Sequence, residues 1–216
     1  MMKKPAAIPV FIYMVLMVLV ITACSFQVEK TPPIKRYIID PKPVTKLSGK
    51  PGGEQIPVTL VFLPIEGTFS FRTRKIYYKR SKISQNSYLY SRWEDAPTRM
   101  LTAKLLKSLD AAGIFKAVTL LYTRSQADLS LGAFLFDFTQ HITPNGNSFG
   151  VISITFQLIE KYSGKIIATK SFEIKKSTPT TDAEGAAKAL NDASDELCTR
   201  LITWLRNTVK TLPTKP

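Results

Sequence analysis

The hydrophobic positions of this chain fall into distinct patterns, and each predicts a kind of element. From Ala6 to Ala23 they are continuous and uncharged. From Ile56 to Leu63 (IPVTLVFL) they are short and rich in branched residues, which predicts a buried central strand closed by Pro64. Further on they alternate. Leu129, Leu131, Ala133 and Leu135 point one way within 127–138, and Ile152, Ile154, Phe156 and Leu158 oppose Val151, Ser153 and Thr155 within 149–160. A third run, 165–175, follows a tight turn at Ser163-Gly164, so an antiparallel meander is expected. Pro144-Asn145-Gly146 places a turn inside 139–148.

Helical spacing occurs twice. Within 97–112, Leu101, Leu105 and Leu109 recur at i, i+4, i+8, while Lys104 and Lys107 fall outside the stripe. Pro97 suits the first turn and Gly113 the stop. Thr181-Asp182-Ala183-Glu184 matches a capping box. The helix it opens carries Ala187, Leu190, Ser194, Leu197, Leu201 and Trp204 or Leu205 on one stripe, to about Asn207. Short strands are expected at 37–40 and 114–122, and a loop at 41–53, where prolines and glycines gather. The pattern predicts a single α/β domain: a mixed, largely antiparallel sheet with two amphipathic helices packed on one face.

The continuous run changes meaning once its flanks are read. Lys3 and Lys4 precede it, and Ile21-Thr22-Ala23-Cys24 ends it. This is the layout of a bacterial lipoprotein signal, with cleavage between Ala23 and Cys24 and acylation of the Cys24 thiol. One acyl chain gives marginal binding, at ~0.8 kcal/mol per buried methylene, whereas several hold firmly. The alternative is an uncleaved transmembrane anchor, because the run of 18 residues just reaches the ~17–25 that a span needs. The expected organisation is a signal at 1–23, a tether at 24–36, the domain at 37–210 and a tail at 211–216. The tether residues to Arg36 reach at most ~40 Å, at ~3.3 Å each.

Charge narrows the partners. The chain has 30 basic and 16 acidic side chains, a net charge of +14. Removing Lys3 and Lys4 with the signal leaves 28 − 16 = +12. A basic exported protein suits anionic headgroups or acidic protein surfaces; nucleic acid fits the charge but not the compartment. With Cys24 acylated, Cys198 has no intrachain partner, and it reads as a small buried hydrophobe on a helix.

The basic residues concentrate. Arg72, Arg74, Lys75, Lys79, Arg80 and Lys82 occur with no acid among them, interleaved with or followed by Tyr77, Tyr78, Tyr88, Tyr90 and Trp93. Two short strands around Gln85-Asn86 would carry them. One reading is a solvated strand face whose lysines discourage edge pairing. The other is a docking surface, since Tyr, Trp and Arg are enriched at interface hot spots. The candidate contacts are Arg72, Arg74, Lys75, Tyr78, Arg80, Tyr88, Tyr90 and Trp93.

No catalytic constellation emerges, and no enzyme activity or cofactor beyond the acyl lipid on Cys24 is expected. His141 is the sole histidine and is expected in the turn region as a solvated residue. No cysteine–histidine set offers a metal site, and no glycine-rich phosphate loop follows a strand.

Taken in order, these features resemble the ABC-type transport auxiliary lipoproteins, whose best-known branch is the paraquat-inducible C-like lipoprotein. The lipobox is followed by YIID with Pro41, then IPVTLVFLP, then RKIYYKR and YLYSRWEDAP leading into the leucine-spaced helix. ADLSL opens the later sheet, and AEGAAKALNDASDELCTRLITWL closes the domain. The resemblance implies a part in lipid transport across a diderm envelope, beside an MCE-type (mammalian cell entry) subunit and, indirectly, an ABC permease and ATPase. It also implies that some members form ring-like homo-oligomers. Ser25 is not the aspartate associated with inner-membrane retention, which favours the periplasmic face of the outer membrane. The rival expectation is a structural or assembly lipoprotein of the envelope with no transport role.

Overall fold

Alternating runs become strands and leucine-spaced runs become helices in the structure, a computed structural model that describes residues 12–14, 31–43, 55–120 and 127–211. The expectations at Ala23 and Cys24, most of the 41–53 loop, the end of the 114–122 strand and the tail from 212 lie outside the described residues. The chain divides into two units, Met1–Pro33 and Ile34–Pro216. In the first, residues 12–14 are helical. Among the described residues no helix is long and apolar enough to cross a membrane.

The second unit runs β1 (Lys35–Tyr37), β2 (Ile56–Phe62), β3 (Glu66–Gly67), a 3-10 turn (Phe69–Arg72), β4 (Lys75–Ser81), β5 (Ser84–Trp93) and α1 (Pro97–Ala111). It continues with β6 (Phe115–Leu120), β7 (Leu129–Ile142), β8 (Ser148–Glu160), β9 (Ile166–Ser177) and α2 (Ala183–Lys210). The nine strands form one mixed sheet built around β7. One edge of β7 pairs antiparallel with β8 along its whole length, from Leu129↔Glu160 to Ile142↔Ser148. The other edge is shared by three parallel strands in succession: β2 at Leu60↔Leu129, β3 at Glu66↔Phe134 and β4 at Tyr78↔Gln140. β9 flanks β8, β6 flanks β2, β5 flanks β4, and β1 lies parallel to β5. The expected meander is therefore β7–β8–β9.

The core lies between this sheet and the two helices. Leu131, Leu135, Ile152, Ile154, Phe156 and Leu158 are fully buried from the sheet side, and Leu101, Leu105, Leu197 and Leu201 from the helices. The register of β7 shifts between Leu135↔Ile154 and Asp137↔Ser153, which leaves Phe136 as an extra residue. A bulge of this kind resets the alternation, so Leu135 and Phe138 are both buried while Phe134 and Phe136 are exposed. Along α2, Ala186, Ala189 and Ala193 are fully buried. These small residues bring the helix onto β8 so closely that a Cβ at Gly150 would meet the Ala189 Cβ at 2.9 Å.

Several expectations are corrected. The cap of α2 is Asp182, not Thr181, and its carboxylate accepts from the Gly185 N–H at 2.8 Å. Pairing begins before Tyr37 and stops there, because Asn191 of α2 takes over the next backbone groups: its amide donates to the Ile38 carbonyl at 2.9 Å and its oxygen accepts from the Asp40 N–H at 2.8 Å. The β4–β5 turn falls at Lys82-Ile83, so Gln85 and Asn86 lie within β5.

Lys104 does not sit outside the buried stripe. It is 2% exposed, its ammonium donates to the Asp40 carbonyl at 2.7 Å, and it pairs with Asp195 of α2 at 2.6 Å. A long side chain can bury its stem while its charged end finds partners. Cys198 is a fully buried free thiol on α2, pushed up to about 11 by burial.

Candidate docking surface

The basic, tyrosine-rich stretch folds as the β4–β5 hairpin and the 3-10 turn before it. Its two strands pair antiparallel with Tyr77↔Ser87 and Tyr78↔Asn86, but between Lys75 and Tyr77 the register shifts, because Lys75 faces Arg92. The shift sorts the predicted contact residues into separate groups.

Toward the middle of the hairpin, Tyr78 and Tyr88 are half-buried with ring centroids 4.9 Å apart, and the Arg80 guanidinium lies 5.7 Å from the Tyr78 centroid. This is a cation–π arrangement. The Tyr88 hydroxyl donates to the Gln140 side-chain oxygen of β7 and reaches the Thr181 carbonyl at 3.4 Å, next to the start of α2. Gln140 is fully buried and donates in turn to Ser148 at 2.7 Å. Burial first, then the Asp182 carboxylate and Tyr78, push the Tyr88 hydroxyl up to about 12. Tyr88 is therefore a neutral donor across the physiological range.

At the base of the hairpin, Arg74 is exposed and its Nε donates to the Trp93 carbonyl at 3.3 Å, while the Trp93 N–H donates to the Arg74 carbonyl at 2.7 Å. Lys75 and Arg72 are exposed on the strand and the preceding turn. Tyr90 is 44% exposed. Trp93 is the exception. It is completely buried, with its ring 5.6 Å from Phe138, so it holds the hairpin onto the core and cannot touch a partner. A tryptophan that ends a strand beside a register shift takes the inward side, where its large apolar area is removed from water.

Lys79 is diverted inward as well. Its ammonium is 2.7 Å from Asp137 of β7, which also accepts from Thr139 at 2.6 Å and lies 2.9 Å from His141 Nε2. His141 thus belongs to β7, paired with Phe149, rather than to a turn. Burial of Asp137 raises its carboxyl, but the hydrogen bonds from His141, Lys79 and Thr139 outweigh this and hold it below its ordinary value. Among the described residues no cluster of side chains could hold a metal ion.

Sequence reasoning missed the apolar positions of this surface. Ile83, at the turn, is 99% exposed, and Leu89 is 72% exposed. Their signal was the same pattern that gave the strands: an isoleucine between Lys82 and Ser84, in a segment too short to bury it.

No family model and no curated protein matches the sequence. The fold does match solved structures. Protein XCC0632 from Xanthomonas campestris, of family DUF330, superposes with a TM-score of 0.69 at 17% identity, over 82% of this chain and 95% of that one. An uncharacterized protein superposes at 0.61 with 12% identity, over 81% and 99%. A minor lipoprotein from Acinetobacter baumannii gives a looser 0.41 at 15% identity, over 73% and 97%. The chain thus has the fold of the XCC0632 protein, a mixed α/β sheet with helices on one face, over nearly that protein's full length.

Proposed function

We propose that the protein is a lipid-anchored, periplasmic auxiliary component of an ABC/MCE-type transport system. In this reading it docks at, or forms, the outer-membrane end of a path that moves phospholipid or another lipid between the two membranes. The observation that carries the proposal is the lipobox ending at Cys24, followed within a short tether by a basic domain. The family resemblance of the sequence supports the transport system, and the cationic hairpin supports docking. The protein performs no catalysis and needs no cofactor beyond its acyl chains. Exposed Arg72, Arg74, Lys75, Arg80 and Tyr90, with the half-buried edges of Tyr78 and Tyr88, form the contact surface, and the assembled form is a homo-oligomer.

The test is recovery of the intact lipoprotein from crosslinked, fractionated membranes, with Cys24→Ala as control. The expected result is an MCE subunit and its permease from the outer-membrane fraction. Recovery of neither, or of the protein alone in the inner membrane, overturns the transport reading and favours a structural lipoprotein.

A further inference from the structure

The tip of the β4–β5 hairpin carries the strongest unassigned surface. Because β4 runs parallel to β7 and Lys79 is level with His141, the Lys82-Ile83 turn projects past the end of β7 at Ile142. Ile83 is 99% exposed there. Between Lys75 and Trp93 there is no acidic residue. Lys75, Arg80 and Lys82 are exposed, and among the described residues none of them has an ion pair.

The path of the chain points to the occupant. β1 lies parallel to β5 with Lys35↔Ser91 and Tyr37↔Trp93. The chain therefore enters β1 from the side on which β5 leads back to the tip, and one further step of the register sets Ile34 level with Tyr90. From Ser91 back to Ser84 is ~23 Å of strand. The chain from Cys24 to Lys35 can extend at most ~36 Å. An acylated Cys24 thus allows a bilayer surface to reach the tip.

We infer that the Lys82-Ile83 tip is a second membrane contact, in which Ile83 inserts between headgroups while Arg80 and Lys82 bind anionic lipid phosphates. This rests on the lipid anchor of the proposed function. An exposed apolar residue flanked by cations is the arrangement that partitions into an anionic interface. A protein-binding hot spot would instead gather Trp, Tyr and Arg in a pocket, whereas the tip itself, from Ser81 to Ser84, carries no aromatic residue. The contact fixes the domain's orientation on the membrane, which a tether alone does not.

The test uses the full-length acylated protein in vesicles of phosphatidylcholine with or without phosphatidylglycerol. Ile83→Cys is labelled with an environment-sensitive fluorophore; Cys198 is buried and Cys24 is acylated. Tyr162→Cys is the control, since Tyr162 is 73% exposed in the β8–β9 turn at the opposite end of the sheet. The label at 83 is expected to be shielded from iodide and quenched by brominated lipid in phosphatidylglycerol vesicles, and the label at 162 to remain in water. Adding Arg80→Glu and Lys82→Glu lowers the shielded population at least about tenfold, since each basic residue near an anionic surface is worth roughly fivefold.

Acylated protein that floats with the vesicles while both labels stay equally in water overturns the tip contact and leaves the anchor standing. Shielding that is equal in neutral vesicles overturns the role of the phosphates. Mass spectrometry showing no acyl chain on Cys24 overturns the anchor, and this inference with it. A photoreactive group at 83 that crosslinks in cells only to protein assigns the tip to a protein partner instead.

Discussion

Trp93 and Asp137 show how single residues tie the hairpin to the sheet. Trp93→Ala removes a fully buried indole and should cost about 3–5 kcal/mol, whereas Tyr90→Ala, at a surface site, should stay within about 0.5 kcal/mol. Urea unfolding of the two variants separates core from surface. Asp137 joins Lys79 of β4 to His141 of its own strand. Its folded-state carboxyl lies below the ordinary 3.8, so the stability it contributes is fully present above that value and is lost as pH falls through the lower folded value. Asp137→Asn should lose about 1.5–3 kcal/mol at neutral pH and show a flatter stability profile in acid, measured by unfolding at several pH values. The basic stretch was legible in the sequence, but its inward and outward sides were not. The register shift near Lys75 and the extra Phe136 each reverse the parity of a strand, and alternation cannot be extrapolated across them.

At the level of elements, the approach of α2 to β8 depends on Gly150. Gly150→Ala would press a methyl group against Ala189 and the helix backbone and should destabilise by about 1–3 kcal/mol. Gly132→Ala, whose Cβ would meet only the Leu63 Cδ1 at 3.7 Å, should be tolerated, and thermal unfolding compares the pair. Lys104 stitches α1 to α2 and to the segment after β1. Because Asp195 is 53% exposed, the ion pair itself contributes about 0–1 kcal/mol. Lys104→Ala, which empties a buried site, should cost about 2–5 kcal/mol. Denaturation of Asp195→Asn beside Lys104→Ala checks that order. The leucine stripes and the capping signal were readable because helix periodicity is local. The burial of Lys104 was not, since its partners lie far away in sequence and a polar position in a stripe normally marks the wet face.

Across the whole molecule, the sequence announced strands but not their neighbours. Hydrophobic alternation says that a segment has a buried face; it does not say which edge it joins. The meander was readable because consecutive strands with tight turns pair by default. The sharing of one edge of β7 by β2, β3 and β4 was not, because those pairings span long stretches of chain. That shared edge governs when the molecule can become solid. Until β7 is available, β2 has only β6 beside it and β4 only β5, and long-range parallel pairing is slow to form. A chain emerging amino end first, from a ribosome or a translocation channel, therefore stays threadable through its first two-thirds. A fragment ending at Asp128 should accordingly be digested by protease without a cooperative unfolding transition, and the lock closes only when β7 arrives to receive three strands at once.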